Sequence, residues 1–266
     1  MKYFGGCDVG STYTKAVILD ETGKMVANTT IRSKINSEQS AIVAMKEVID
    51  QVPELNSSED LAYLIGTGYG RNKVPFADEN ISEISCHAMG VHVTDPNVRA
   101  IIDIGGQDVK GISIDTDGTV KNFAMNDKCS AGTGRFFEAM ANAFELSLPE
   151  FSNLSLSAKN VIPITAQCTV FAESEVISQL AQGSDKRDII NGIHHSVASR
   201  VAGLAHRVGA KELVVMTGGV AQNTGVVKAL EEELGRTIHT SPLTQYNGAL
   251  GAALFAYDRY KRAHKD

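Results

Sequence analysis

The sequence predicts an α/β fold built from two similar units, and three observations support that prediction. Residues 8–23, DVGSTYTKAVILDETG, return as residues 103–118, DIGGQDVKGISIDTDG, with five identities at aspartate, glycine and lysine positions. Apolar runs of strand length alternate with helical patterns, which is typical of α/β proteins. A length of 266 residues is sufficient for two units. Two unrelated hairpins with similar turns are the weaker alternative, because chance would give fewer matches.

Composition and charge exclude several other classes of protein. The chain is 43% hydrophobic and 21% charged, which is ordinary for a soluble globular protein and excludes a disordered or collagen-like chain. No apolar run is long enough for a transmembrane helix, and the first residues lack the apolar segment of a signal peptide. A net charge of −6 without a basic block gives no indication of nucleic-acid binding. Four cysteines are too few for a disulfide framework. Since no export signal is recognised either, a location in the reducing cytoplasm is expected.

Each copy of the repeat predicts three consecutive strands. The turn before each third strand contains a glycine, Gly23 or Gly118, which admits the positive φ of a tight hairpin turn. The predicted strands are residues 3–9, 14–19 and 25–31 in the first copy and residues 100–104, 109–114 and 119–124 in the second.

The remaining elements follow from periodicity and cap signals. The apolar pattern of residues 42–49 predicts a helix, for which Ser37 or Ser40 is the expected N-cap. A long amphipathic helix is expected over residues 190–208, where apolar residues recur at spacings of three and four. The other predicted elements are strands at 61–65, 213–216 and 237–239 and helices at 82–93, 224–234 and 248–261.

Two duplicated loops have the composition of a phosphate-binding site. Asp8 and Asp103 each end a predicted strand, and a strand-end carboxylate can hold Mg²⁺ through water. The glycines that follow, Gly10 and Gly105, let backbone N–H groups approach phosphate oxygens closely. Further polar or small residues complete the loops: Ser11, Thr12, Thr14 and Lys15 in the first, and Gly106 and Gln107 in the second. The pattern favours a nucleotide bound in a cleft between the two copies.

A third glycine turn, in the segment VVMTGGVAQN at residues 214–223, supports the same interpretation. A predicted strand ends at Thr217, Gly218 and Gly219, so adenosine or an α-phosphate could lie against the backbone and the start of the following helix. Taken alone, this is a tight loop found in many α/β proteins, and only together with the duplicated loops does it favour nucleotide binding. The chain lacks the GxxxxGK[ST] motif, which excludes a P-loop NTPase.

Two of the four cysteines occupy similar positions. Cys129 and Cys168 each precede a predicted amphipathic helix, and helix N-termini stabilise negative charge such as that of a thiolate-ligated iron–sulfur cluster. Two cysteines cannot supply a four-cysteine site, but a symmetric dimer would double them. A small buried residue is the alternative, and zinc is disfavoured because CxxC pairs are missing. Cys7 and Cys86 are predicted to lie in the core.

The order of these motifs resembles the acetate and sugar kinase, Hsp70 and actin superfamily. Within it, the chain looks like the activator ATPases of (R)-2-hydroxyacyl-CoA dehydratases and benzoyl-CoA reductases, of the BadF/BadG/BcrA/BcrD type. The resemblance covers nearly the whole chain and rests on long motifs: GYGRNKV (68–74), EISCHAMGV (83–91), DIGGQDVK (103–110), NDKCSAGTGRFFEAMA (126–141), CTVFAESEVISQLAQG (168–183) and GALGAAL (248–254).

The resemblance implies two ribonuclease-H-like domains of the actin-like ATPase type around a nucleotide cleft. The domains are expected at residues 1–97 and 98–247, with the last helix, about 248–264, packing on the first. The expected ligands are Mg²⁺ and ATP or ADP, with Asp8, Asp103 and Gln107 as the catalytic residues. The expected nucleotide-binding residues are Gly10, Ser11, Thr12, Tyr13, Thr14, Lys15, Gly105, Gly106, Gly218, Gly219, Asn223 and Gln245.

The resemblance also implies ATP-driven electron transfer at low potential. One [4Fe–4S] cluster is expected between the subunits of a homodimer, held by Cys129 and Cys168 of each. Reduced ferredoxin or flavodoxin would supply the electron, and a partner iron–sulfur enzyme, typically a 2-hydroxyacyl-CoA dehydratase, would receive it. The alternatives are a small-molecule kinase that uses Asp103 as base, an activator of another double-cluster reductase, and a non-catalytic regulator. The compact chain leaves little room for a kinase's substrate-binding insertion.

Overall fold

The computed structural model describes residues 1–165, 168–210 and 213–264, which form two mixed β-sheets with helices packed against them. The elements run in the order β1 (Phe4–Val9), β2 (Tyr13–Leu19), β3 (Met25–Arg32), α1 (Ser37–Ile49), β4 (Tyr63–Thr67), β5 (Glu79–Asn80), α2 (Glu83–Thr94), β6 (Ala100–Ile104), β7 (Val109–Ile114), β8 (Val120–Asn126), α3 (Gly134–Ala143), α4 (Leu148–Ser155), α5 (Thr169–Ala181), α6 (Lys186–Arg207), β9 (Val214–Thr217), α7 (Thr224–Leu234), β10 (Ile238–His239) and α8 (Asn247–Ala263). In the described part of the chain, no helix is both long enough and apolar enough to cross a membrane.

The two sheets have the same topology. The first has the strand order β3-β2-β1-β4-β5, and the second, taken in the same direction, has the order β8-β7-β6-β9-β10. In the first sheet β1 pairs antiparallel with β2 and parallel with β4. In the second sheet β6 pairs in the same way, antiparallel with β7 and parallel with β9. This confirms the predicted fold class of two duplicated α/β units.

The strand register shows that the repeat extends farther than the sequence comparison indicated. Asp8 lies opposite Lys15 between β1 and β2, as Asp103 lies opposite Lys110 between β6 and β7. On the other side, Asp8 is the register partner of Thr67 on β4, and Asp103 is that of Thr217 on β9. Each unit therefore places an aspartate between a lysine and a threonine on neighbouring strands.

Each unit has its own hydrophobic core. The first unit holds residues 1–98, residues 114–121 and the described residues from Gln245 onward, and the second holds residues 99–113 and the described residues of 122–244. Ile18, Met45 and Leu64 are almost completely buried in the first core, and Phe136 and Phe151 in the second. Burial of side chains of this size contributes about 2 kcal/mol each to folding.

The last helix belongs to the first unit. Helix α8 packs against β1, β2, β4 and α2, and it presents to them the small residues of the motif GALGAAL. Ala249, Ala252, Ala253 and Ala256 are all buried. Small side chains let the helix lie close to the sheet, which accounts for the composition of this motif.

The start of α1 differs from the prediction. Neither Ser37 nor Ser40 is the N-cap, because Asn36 Oδ1 accepts the backbone N–H groups of Glu38 and Gln39 at 2.9 and 3.4 Å. Ser40 is buried, and its hydroxyl accepts the backbone N–H of Lys34 at 2.8 Å. An Asn cap performs the same chemistry as a Ser cap, so the helix was recognised but its first turn was misassigned.

Helix α4 was missed by the sequence interpretation, although its sequence contains a start signal. Ser147 and Glu150 form a capping box, in which the Ser147 N–H donates to Glu150 Oε2 at 2.9 Å and the Glu150 N–H donates to Ser147 Oγ at 3.4 Å. Pro149 lies in the first turn, where its missing N–H is harmless. The spacing of serine and glutamate would have predicted this helix.

Candidate functional site

In the first unit, the candidate site is the loop between β1 and β2. Asp8 is 4% exposed and its Oδ2 lies 3.3 Å from Lys15 Nζ. Lys15 offsets the cost of burying this carboxylate. Ser11 and Tyr13 are exposed, whereas Thr12 is buried, and among the described residues its hydroxyl has no hydrogen-bond partner. A buried hydroxyl without a protein partner fits a loop that binds a polar ligand.

Ser33 holds this loop in place, although no sequence motif pointed to this residue. Its hydroxyl donates to Gly10 O at 2.7 Å and lies 2.9 Å from Thr14 Oγ1, while its backbone N–H donates to Thr12 O at 2.9 Å. Thr14 is completely buried. The buried Thr14 hydroxyl is therefore engaged with Ser33 within the protein and helps to hold the loop.

In the second unit, the matching site surrounds Asp103, which is 3% exposed. Lys110 Nζ lies 3.2 Å from Asp103 Oδ2 and 2.8 Å from Asp108 Oδ2, and the Thr217 hydroxyl donates to Asp103 Oδ1 at 2.8 Å. The repeat identified Asp103 and Lys110, but it did not identify Asp108 or Thr217. Asp103 is thus fixed on both oxygens, so its orientation does not depend on a ligand.

The glycine loop that follows Asp103 is hydrogen-bonded to the start of α3. The Gly105 N–H donates to Asp108 O at 2.9 Å, which closes the loop. The Gly134 N–H donates to Gly105 O at 2.9 Å, and the Arg135 N–H donates to Gly106 O at 2.9 Å. Gln107 is exposed at the tip. The proposed phosphate loop and the first residues of α3 therefore form one hydrogen-bonded unit.

The third predicted turn begins at Gly218, which has φ +85° and ψ 173°. This backbone region is essentially restricted to glycine. The Gly218 N–H donates to Thr244 O at 2.9 Å, and Gly219 is exposed at the start of a short 3₁₀ helix. Gln245 is half-exposed in the turn before α8. Gly68, after β4, has φ +89° and is the counterpart of Gly218 in the first unit.

The side chain of Asn223 is engaged within the protein. Its Oδ1 accepts the Val226 N–H at 3.1 Å and so caps α7, and its Nδ2 lies 3.1 Å from His194 Nε2. His194 is completely buried beside Phe137 and Phe151. Burial, and to a lesser extent the neighbouring His195, lower the pKa of His194 to about 3. A neutral ring accepts the Asn223 amide through Nε2.

This buried histidine predicts a loss of stability in acid. Between the ordinary histidine pKa of 6.5 and about 3, the unfolded chain binds a proton that the folded chain does not. The free energy of unfolding should therefore fall as pH decreases below 6.5, by up to about 1.4 kcal/mol per pH unit. Urea unfolding between pH 7 and 4 should show a shallower pH dependence in His194→Gln than in the natural protein.

His195→Gln is the matched control for this measurement. His195 is the next residue on α6, is only half-buried and lies 3.3 Å from Glu232. We expect it to keep most of the acid dependence of the natural protein, because burial is the larger cause of the lowered His194 pKa and remains in this variant. Equal slopes for His194→Gln and the natural protein would show that His194 does not remain neutral in the folded state.

The four cysteines fall into two classes. Cys7 and Cys86 are completely buried, as predicted. Burial raises the pKa of Cys86 to about 12 and also raises that of Cys7, so both remain protonated thiols. Cys129 and Cys168 are half-exposed. Only the second class is accessible to a metal.

Cys129 and Cys168 lie on neighbouring segments of the second unit. Cys168 is the N-cap of α5, as the sequence predicts, but Cys129 lies in the segment between β8 and α3, five residues before the first residue of that helix. The residues that follow them approach each other, with Ser130 Oγ 3.3 Å from Thr169 Oγ1. No group of three or more potential ligands among His, Cys, Asp and Glu occurs in the described part of the chain.

Comparison with known proteins identifies the family. The model of the BadF/BadG/BcrA/BcrD ATPase family matches residues 6–256. The chain belongs to this family. The match includes both duplicated loops, the glycine turn at Gly218 and both exposed cysteines, so the ATPase family assignment covers the whole candidate site.

Full-length relatives and a solved structure refine the family assignment. The chain is 53% identical to the (R)-2-hydroxyglutaryl-CoA dehydratase activating ATPase of Acidaminococcus fermentans, over 97% of this chain and 98% of the relative. It is 48% identical to the activator of lactoyl-CoA dehydratase of Anaerotignum propionicum, over 96% and 98% of the two chains. The activator of the 2-hydroxyisocaproyl-CoA dehydratase from Clostridium difficile with bound ADPNP has a TM-score of 0.92, 44% identity and coverage of 98% and 96%. These family members give no support to a small-molecule kinase.

Proposed function

We propose that this chain is the ATP-hydrolysing activator of a 2-hydroxyacyl-CoA dehydratase, to which it delivers single electrons. Its full-length relatives at 53% and 48% identity activate dehydratases of this class. Reduced ferredoxin or flavodoxin is the proposed donor, and the cytoplasm is the proposed location. The electron leaves the reduced donor, passes through this protein and is accepted by the dehydratase, while ATP is hydrolysed to ADP and phosphate.

One observation carries the proposal: the glycine loop of the second unit and the start of α3 are directly hydrogen-bonded. Gly105 O and Gly106 O accept the N–H groups of Gly134 and Arg135, each at 2.9 Å. Cys129 lies in the segment that leads into the same helix. A change in the loop when ATP becomes ADP therefore acts on the segment that carries a thiol. Electron transfer driven by ATP needs such a connection, whereas phosphoryl transfer to a small molecule does not.

The proposed nucleotide site uses both duplicated loops. Asp8 and Asp103 are assigned to Mg²⁺ and the attacking water, with Gln107 as a further water contact. Since each carboxylate already has a lysine partner, a contact with Mg²⁺ through water fits the structure. When bound, Mg²⁺ neutralises phosphate charge. The assigned nucleotide contacts are Gly10, Ser11, Thr12, Tyr13, Thr14, Lys15, Gly105, Gly106, Gly218, Gly219, Asn223 and Gln245.

Some of these contacts are assigned to the backbone and some to side chains. Asn223 and Thr14 use their side chains within the protein, so any contact they make with the nucleotide comes from their backbone. Ser11 and Lys15 have side chains that reach solvent, and these are the assigned donors to phosphate. Positioning and electrostatic stabilisation of this kind are the main contributions that proteins make to phosphoryl transfer.

Cys129 and Cys168 are the proposed ligands of a [4Fe–4S] cluster. Both thiols are accessible, and Ser130 and Thr169 hold their segments together at 3.3 Å. Four thiolates are needed, and each chain offers these two, so the proposal requires a homodimer in which both copies contribute the same pair. When bound, such a cluster supplies one-electron transfer. The role of the chain is to hold it and to change its surroundings when the nucleotide changes.

Iron and acid-labile sulfide of the protein purified without oxygen test the proposal. We expect about two irons per chain, because one four-iron cluster is shared by two chains. Cys129→Ala and Cys168→Ala should each lose the iron, because removing one ligand from each copy leaves two thiols in the dimer. ATP binding, measured by calorimetry, should persist in both variants.

Cys86→Ala is the matched control, because Cys86 is completely buried in the first unit. It should keep the iron content of the natural protein. Full iron content in either Cys129→Ala or Cys168→Ala would refute the ligand assignment. An iron-free natural protein with ATPase activity would refute electron transfer and favour a kinase or a regulator.

A further inference from the structure

The two exposed cysteines differ in the source of positive charge around them. Cys168 is the N-cap of α5, where the N-terminal end of the helix dipole lies against it. Cys129 lacks that arrangement because it lies five residues before α3. The first N–H groups of α3, those of Gly134 and Arg135, already donate to Gly105 O and Gly106 O. A negative charge at Cys129 therefore needs a different stabilising group.

Arg200, on α6, is close to that cysteine. Its Nη1 lies 3.9 Å from Cys129 Sγ and donates to Ala131 O at 3.1 Å. Its aliphatic stem lies against Gly132, where a Cβ would be 3.6 Å from Arg200 Cδ. The half-buried guanidinium thus binds the Cys129 segment at two points, the sulfur and a backbone carbonyl.

We propose that Arg200 is the positioning residue for Cys129 and sets the electron affinity of the bound cluster from that side; this inference rests on the proposed function. A guanidinium is always charged and presents its N–H groups in a fixed plane. Hydrogen bonds and positive charge at a ligating sulfur stabilise the reduced cluster, which carries one more negative charge. The two cysteine ligands of each chain are then stabilised in different ways. The N-terminus of α5 stabilises charge at Cys168, and Arg200 stabilises charge at Cys129.

Arg200→Met and Arg200→Lys test this inference in the whole protein purified without oxygen. The readout is the midpoint potential of the cluster, followed by electron paramagnetic resonance during reductive titration. At the midpoint of the natural protein, we expect Arg200→Met to lower the ratio of reduced to oxidised cluster about tenfold, the effect of one hydrogen bond to a charged group. Arg200→Lys should show a smaller shift in the same direction, since it keeps the charge but loses the planar fork.

Arg207→Met is the matched control, because Arg207 is an exposed arginine in the last turn of the same helix. It should keep the natural potential. Amide hydrogen exchange of residues 129–134 in the iron-free protein gives a second readout, and it should be faster in Arg200→Met because Ala131 O loses its donor.

The outcomes separate this inference from the proposed function. Iron in the natural protein with an unshifted potential in both Arg200 variants overturns the role of Arg200 and leaves the proposed function intact. Faster exchange with an unshifted potential also overturns it, because Arg200 would then be only structural. If Arg200→Met does not hold iron, Arg200→Lys decides: a lowered potential supports the inference and an unchanged one overturns it. An iron-free natural protein refutes the proposed function itself.

Discussion

Replacing Asp103 with asparagine is expected to lower the rate of ATP hydrolysis by about 100-fold or more, the usual effect of removing one preorganised charged group from an active site. The asparagine has nearly the same shape and can still accept the Thr217 hydroxyl, which donates to Asp103 Oδ1 at 2.8 Å. The lost negative charge is the one assigned to Mg²⁺ and the attacking water. Steady-state phosphate release measures this rate, and iron content should remain unchanged because Cys129 and Cys168 are unaltered.

Asp108→Asn is the control for Asp103→Asn. Asp108 also bonds to Lys110, at 2.8 Å, but it is only half-buried. Its substitution removes one charge from the same lysine without changing Asp103, so a much smaller loss of hydrolysis is expected. Equal rates in Asp103→Asn and the natural protein would remove Asp103 from the mechanism.

Replacing Gly218 with alanine should destabilise the protein by about 3 kcal/mol and weaken nucleotide binding. With φ +85° and ψ 173°, Gly218 occupies a region that L-residues with side chains avoid, and a Cβ there would lie 2.3 Å from Ile104 O and 3.0 Å from Asp103 Oδ1. Relief of these contacts has to move the backbone next to Asp103. Urea unfolding gives the stability, and calorimetry with ADP gives the dissociation constant.

Gly235→Ala is the matched control for Gly218→Ala. Gly235 has φ +62° at the end of α7, and a Cβ there would meet nothing within 4 Å. Its substitution should cost about 1 kcal/mol from the left-handed backbone alone and leave ADP binding unchanged. Equal losses in the two variants would show that the close contacts at Gly218 relax without consequence.

The sequence predicted the parts of the fold that depend on local patterns. The repeat with Asp8 and Lys15 recurring as Asp103 and Lys110 predicted both hairpins, and the register places each lysine opposite its aspartate. Periodicity predicted the long helix α6. The capping box at Ser147 is also a local pattern, so α4 was predictable from the sequence although it was not predicted.

The supporting residues of the site could not be predicted, because they reach it across long separations. Ser33 bonds Gly10 over 23 residues, and Arg200 approaches Cys129 over 71. The segments around Thr67 and Thr217 have only the glycine after each threonine in common, so the sequence alone did not identify the two threonines as equivalent positions. Such contacts depend on which strands, helices and loops become neighbours in the fold, and a pattern of spacing along one chain does not contain that information.

The bonds from Gly105 O and Gly106 O to the start of α3 also fix the directions of two peptide planes. A trans peptide points its carbonyl and the next N–H to opposite sides, and the described chain contains no cis peptide. With both carbonyls turned to α3, the N–H groups of Gly106 and Gln107 face away from that helix, as a pair of donors suited to an anion. If these two N–H groups bind a phosphate, as proposed, tilting either plane to follow its departure pulls the carbonyl of that plane away from α3. The proposed ligand and the helix would then be held on opposite edges of the same planar peptide groups.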